Sequence, residues 1–255
     1  MTLLSIYPYT PFRGSWLYTA MGSAPAGAQG VRDALDILLE KKRITQEEDL
    51  QVVVLTGDGS AGGIGFSATS GVMDRKLDFF YICYDNEAYG NTGGQFSEAT
   101  PHGAKTTTSK GAGGYSGTKK DLFSIWVAHN PVYVATVVGA EPLDLAKKIE
   151  KAKELKGPKM IIGLSPCPTV WSYNPKDSVV IGKLAVKTGI WPLKEYVDGV
   201  VVHTKIPKNR LPVEEYLKTQ GRFSHLFNEE RERKKSMEII QEIQTSIDEY
   251  WKGIE

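Results

Sequence analysis

Four short apolar runs, "QVVVLT" (51–56), "DFFYICYD" (78–85), "VYVATVV" (132–138) and "KMIIGLS" (159–165), narrow the folds open to this chain. The first two have the profile of strands buried on both faces of a parallel sheet. Between the runs lie segments of helical spacing. "APAGAQGVRDALDILLEK" (24–41) sets Ala28, Val31, Ala34, Leu35 and Leu38 on one face. "IGFSATSGVMDRKL" (64–77) and "PLDLAKKIEKAKEL" (142–155) are further helix candidates, and "DLFSIWVAHN" (121–130) continues the alternation. Strands alternating with helices predict an α/β fold, a mostly parallel sheet with helices on both faces.

The pattern changes after about residue 187. "KEYVDGVVVH" carries Asp198–Gly199 between two β-rich arms, a type I′ hairpin signal. A last helix near 229–253 places Ile240, Ile243, Ile247, Tyr250 and Ile254 at three- and four-residue steps. The expected organisation is an α/β binding domain over 1–186, with a hairpin-plus-helix extension over 187–255 packed on it. There is no internal repeat. The segment 96–120 is rich in Gly, Ser and Thr, and unstructured stretches of that length are uncommon unless functional or mobile.

Composition removes several classes of function. With 31 Lys+Arg against 30 Asp+Glu the net charge is +1, so nothing points to nucleic acid, and the run Lys41–Lys42–Arg43 reads as a solvated helix end. No run approaches the roughly 20 apolar residues of a membrane span. The N-terminus does not read as a signal peptide, and two cysteines make no disulfide framework. A cytoplasmic location is expected.

The chemistry gathers where strands end. "LTGDGSAGGIGF" (55–66) matches G-x-G-x-x-G at Gly57, Gly59 and Gly62, but sets the anion Asp58 where a pyrophosphate would approach. A dinucleotide site would also need an acidic residue about 20 positions on; Asp78 is roughly placed but opens a strand. A purely structural glycine turn is the other plain reading. Asn86 ends the second strand, 28 positions after Asp58. If the two strands are neighbours, a carboxylate and a carboxamide converge, as a hard cation such as Mg²⁺ requires when it also binds phosphate oxygens. The metal then turns Asp58 from an obstacle into a link to a diphosphate.

"GDGSAGGIGF" followed by "YDNEAYGNTGGQFSEATPHGA" resembles the thiamine diphosphate motif of 2-oxoacid:ferredoxin oxidoreductases, in particular the β subunit of the pyruvate type. The likeness continues through "VAHNPVYVAT", "SPCPT", "TGIWPL" and "PVEEYLKTQGRF", nearly the whole chain. It implies that the Asp58 and Asn86 side chains and the Ala88 carbonyl bind Mg²⁺. Many members carry Thr where Asn86 stands; Asn also offers an oxygen. Gly57, Gly59 and Ser60 would approach the diphosphate, Asn91 would lie beside the thiazolium and substrate, and Met21 and Gly22 in "AMGSA" (20–24) would meet the aminopyrimidine. On its own, Asn91 also reads as a turn residue tolerating positive φ.

The same resemblance implies oxidative decarboxylation of pyruvate or a similar small 2-oxoacid, with electrons leaving through iron–sulfur clusters to ferredoxin and coenzyme A taking the acyl group. It implies α, γ and δ partner subunits, one of which supplies the glutamate that activates the cofactor. An oxalate-type member, a non-redox thiamine decarboxylase subunit and a cluster-free regulatory partner are the rival readings.

Cys83 reads as a buried thiol. Cys167 in "SPCPT" matches a 4Fe–4S ligand of relatives, whose other three ligands lie in an upstream cysteine-rich segment. Four thiolates are needed, so this chain is expected to hold a cluster only if upstream cysteines exist. His102 and His129 are expected near the site, His102 shaping a substrate pocket and His129 ending a strand in a structural role. His203 and His225 read as surface or packing residues.

Overall fold

A computed structural model describes residues 14–45, 50–111, 113–228 and 233–254. After the helix α1 (Ala24–Glu40), the chain lays down β1 (Val53–Gly57), α2 (Phe66–Asp74), β2 (Phe79–Asp85), α3 (Leu122–Val127), β3 (Tyr133–Val138), α4 (Pro142–Glu154) and β4 (Pro158–Leu164). A single helical turn, α5 (Pro168–Trp171), leads to α6 (Ser178–Lys187), the hairpin β5 (Leu193–Val197) and β6 (Val200–Lys205), two short turns α7 (Glu214–Leu217) and α8 (His225–Asn228), and the long α9 (Arg233–Lys252). The six strands form one sheet in the order β1-β2-β4-β3-β5-β6. The first four are parallel and the last two antiparallel, so the sheet is α/β and mostly parallel.

Three of the four apolar runs form strands buried on both faces. β1, expected to be buried likewise, lies at the sheet edge and is buried on one face only, with Val53 50% exposed. Every residue of β3 is buried, and in β2 and β4 only Ile82, Tyr84 and Gly163 are partly exposed. The Asp198–Gly199 turn has φ of 51° and 81°, the doubly left-handed geometry of a type I′ hairpin. α9 buries Ile239, Ile247 and Trp251 in the same core as Val54 and Met160. The helix expected over 64–77 begins later: residues Ser60–Ile64 form a wide turn, broken at Gly63 (φ −116°, ψ −106°), and regular helix starts at Phe66. His129 follows a helix rather than ending a strand, its Nδ1 bound to the Ile125 carbonyl and its Nε2 to Ser70 Oγ. The expected start of the last helix, 229–232, lies outside the described residues. Among the described residues no helix is long and apolar enough to cross a membrane.

Candidate cofactor site

β1 and β2 are adjacent and parallel, with Gly57 paired to Tyr84, so their carboxyl ends open on one side of the sheet. A cleft of about 290 Å³ lies there. Gly57, Asp58, Gly59, Ser60, Asn86, Ala88, Asn91, Met21 and Gly22 all line it. Residues that the sequence scatters over 71 positions therefore face one cavity, because a parallel sheet gathers its strand-to-helix turns at one edge.

The turn after β1 is shaped by close packing. A Cβ at Gly59 would stand 2.3 Å from the Tyr89 ring, whose hydroxyl donates to the Gly59 carbonyl at 2.9 Å. Gly22, at φ +86°, takes a left-handed conformation against Gly65. These contacts bring the 20–24 turn, the 57–65 turn and the loop after β2 together.

Asp58 is 1% exposed. Burial, with Asp85 nearby, pushes its pKa up to about 7, against the opposing pull of Ser97. Ser97 Oγ donates to Asp58 Oδ2 at 2.5 Å, and the Asn86 backbone N–H donates to Oδ1 at 3.3 Å. The inward terminal atom of the Asn86 carboxamide lies 2.8 Å from Asp58 Oδ1 and 2.7 Å from the Ala88 carbonyl oxygen. With its NH₂ inward the amide donates to both. With its oxygen inward, three oxygens meet, an arrangement that a cation, or a proton held on Asp58, would stabilise. A carboxylate, a carboxamide and a carbonyl are an all-oxygen donor set, and they fit Mg²⁺ bound beside a phosphate.

The loop 85–88 is held from behind by charges that sequence reasoning missed. Lys119 Nζ reaches Asp85 Oδ2 at 2.8 Å and Glu87 Oε1 at 2.7 Å, and Arg222 Nη2 reaches Glu87 Oε2 at 2.6 Å. Arg222 also donates to Gln220 and stacks 3.9 Å from the Trp171 ring centroid. Burial would favour a neutral Glu87, but Lys119 and Arg222 hold its pKa below the ordinary carboxylate value. Glu87 sits at φ +60°, a left-handed conformation costly for a side-chain-bearing residue, and this network fixes it there. Thr100 Oγ1 adds a hydrogen bond to the Glu87 carbonyl, and Trp171 Nε1 one to the Asn86 carbonyl, 2.7 and 2.8 Å. The acidic pair in "YDNEA" was visible in the sequence, but partners 34 and 135 residues away left no local pattern.

Asp78 is tied to Lys159, at 2.6 Å, at the amino ends of β2 and β4, and does not line the cleft. His102 bonds Glu242 at 3.0 Å and lies on a separate cavity. Cys83 is fully buried in β2, and burial pushes its thiol pKa well up. Cys167 is half-buried at the start of α5, one turn before Trp171.

The family model of the thiamine pyrophosphate enzyme, C-terminal TPP binding domain, matches residues 2–162. Pyruvate synthase subunit PorB of Methanocaldococcus jannaschii is 44% identical over 89% of this chain and 77% of its own length. The subunit of the same name from Thermotoga maritima is 39% identical over 98% and 77%. This chain belongs to the pyruvate-synthase-type β subunits of the 2-oxoacid:ferredoxin oxidoreductases. The family also includes the ketoisovalerate oxidoreductase subunit VorB of Pyrococcus abyssi, 38% identical over 89% of this chain and 74% of that one. A solved 2-oxoglutarate:ferredoxin oxidoreductase from Magnetococcus marinus, with 2-oxoglutarate, coenzyme A and succinyl-CoA bound, shares the fold at TM-score 0.52 and 21% identity, over 85% of this chain and 73% of that one. The matched span, 2–162, contains every residue that lines the cleft.

Proposed function

We propose that this chain is the thiamine diphosphate-binding subunit of an enzyme that oxidatively decarboxylates pyruvate or a similarly small 2-oxoacid. The observation that carries the reading is the convergence of Asp58, Asn86 and the Ala88 carbonyl at the end of β1 and β2. These three would hold Mg²⁺, and Gly57, Gly59 and Ser60 would admit the diphosphate. Bound there, thiamine diphosphate supplies the nucleophilic carbon and the electron sink that decarboxylation of a 2-oxoacid needs. Met21 and Gly22 would seat the aminopyrimidine, while the Asn91 carboxamide at the open end of the cleft would orient the substrate. The Asp85–Lys119–Glu87–Arg222 network keeps the metal-binding loop in place.

Electrons then pass to ferredoxin and the acyl group to coenzyme A within a complex of α, γ and δ subunits. Trp16, Leu17, Tyr18 and Met21 are exposed at the cleft mouth, an apolar patch suited to burial against such a partner. Cys167, one helical turn from the tryptophan that holds Asn86, would ligate a 4Fe–4S cluster with upstream cysteines.

The test is reconstitution. The complex should reduce ferredoxin with pyruvate, coenzyme A, thiamine diphosphate and Mg²⁺, while this chain alone should not. Decarboxylation without ferredoxin reduction would favour a non-redox thiamine enzyme, and no thiamine diphosphate binding at all would remove the proposal.

A further inference from the structure

A second cavity, of about 600 Å³, lies between the start of β5, the loop before α3 and the inner face of α9. Its size is that of a small-molecule pocket. Phe123, Ile162, Trp191, Ile247 and Tyr250 give its wall an apolar side, and Lys194 from β5 also lines it. Lys194 is 8% exposed, with its ammonium 4.3 Å from the Phe123 ring centroid and 5.0 Å from that of Tyr250. Among the described residues no oxygen accepts a hydrogen bond from it.

The neighbouring charges are already committed. Lys119 is held by Asp85 and Glu87, and Lys120 donates to the Gly62 carbonyl. Asp121 accepts from Ser124 N and Oγ as the cap of α3, and His102 pairs with Glu242 at the rim. Burial draws the Lys194 pKa below the usual lysine range, and only Asp121 pulls it back. The Lys194 ammonium, set between two aromatic faces, opens on the cavity with no protein oxygen among the described residues to receive its protons, and an anion entering the cavity would supply that acceptor. Among the lysines that line the cavity, Lys194 is the one whose ammonium meets no protein oxygen, so it is the one left to receive a single carboxylate, against the charge that Asp121 keeps on the same wall. The aromatic and aliphatic surfaces suit an apolar body.

We propose that this cavity is a second binding site, distinct from the cofactor cleft, for a monocarboxylate with a compact apolar or aromatic body, its carboxylate on Lys194. The probe is benzoate, with benzamide as the uncharged control, titrated by calorimetry into the assembled, thiamine diphosphate-loaded complex. Benzoate should bind once per copy of this chain, and both benzamide and Lys194→Met should weaken binding about tenfold or more, the scale of a lost charge-assisted hydrogen bond. Absent binding in the wild-type complex, or equal affinity for Lys194→Met, overturns the proposal. Should that variant fail to assemble, reductive methylation of the wild-type complex gives the answer. Benzoate should slow modification of Lys194 and not that of exposed lysines, and unchanged modification of Lys194 overturns the proposal equally.

Discussion

Arg222 Nη2 meets Glu87 Oε2 at 2.6 Å, with both side chains buried and the two residues 135 positions apart in the chain. Glu87 stands between Asn86 and Ala88, the two residues that converge with Asp58. The pair therefore ties the C-terminal region to the loop 85–88. Arg222→Met should cost about 3 kcal/mol or more, because a buried carboxylate loses a partner. Adding Glu87→Gln should recover much of that stability by removing the stranded charge. Thiamine diphosphate affinity should stay low in the double variant, since the loop has still lost its anchor. Thermal melting and calorimetry on the single and double variants check both parts, and restored affinity would show that Arg222 matters for stability alone.

Asp58 predicts a conflict between stability and cofactor binding. In the metal-free chain its pKa is pushed up to about 7, whereas an unfolded aspartate carboxyl titrates near 3.8. Between those values the folded chain holds a proton that the unfolded chain has released. Stability thus falls as pH rises through that window and levels off above it. Asp58→Asn should abolish this fall, making the metal-free chain more stable at pH 8 by about 1–4 kcal/mol. Denaturation curves at pH 5 and pH 8 measure it. The same variant should lose thiamine diphosphate, and wild-type affinity should drop about tenfold per pH unit below the pKa, as protons compete with Mg²⁺. A dinucleotide site predicts improved binding on removing the anion.

Gly59 should tolerate no side chain while Tyr89 stands over it. Gly59→Ala would set a methyl 2.3 Å from that ring, whose hydroxyl is bound to Gly59 O and to Glu98. Cofactor affinity should fall, and Tyr89→Ala in the same chain should restore part of it by opening the space. Calorimetry of the two variants decides whether the glycine serves close packing or only flexibility.

The strand ends, the hairpin and the Asp58–Asn86 pairing were legible because each depends on local composition or on adjacent parallel strands. Asp198–Gly199 announced its own turn, and β1 and β2 announced theirs by lacking a polar face. Ser97, Lys119 and Arg222 were not legible. Each acts through a hydrogen bond or ion pair across 32 to 135 residues, and only folding reveals such a partner. His129 was misplaced because "FSIWVAHN" is apolar enough for either element, and its length and the Asp121 cap settle it as helix. The wide turn at 60–64 was hidden for a related reason, since glycines at 62, 63 and 65 break the helix without disturbing the apolar spacing.

Asn91 provides the sharpest separation of roles. It lines the open end of the cleft, exposed, in the turn where Gly94 N–H bonds the Tyr89 carbonyl at 3.1 Å. Its carboxamide would orient the substrate, and a donor there would also stabilise negative charge growing on the substrate oxygen. Asn91→Ala should then lower turnover by about 10²-fold, the scale of losing one such donor. Thiamine diphosphate and Mg²⁺ affinity should change little, because Asn91 lies outside the Asp58–Asn86–Ala88 donor set. A turn residue alone predicts the reverse: lower melting temperature, with turnover per cofactor-loaded complex preserved. Asp58 and Asn91 should thus fail differently, one losing cofactor and the other rate. Steady-state turnover of the loaded complex, beside melting and calorimetry of the same preparation, distinguishes them; normal turnover removes Asn91 from the catalytic set.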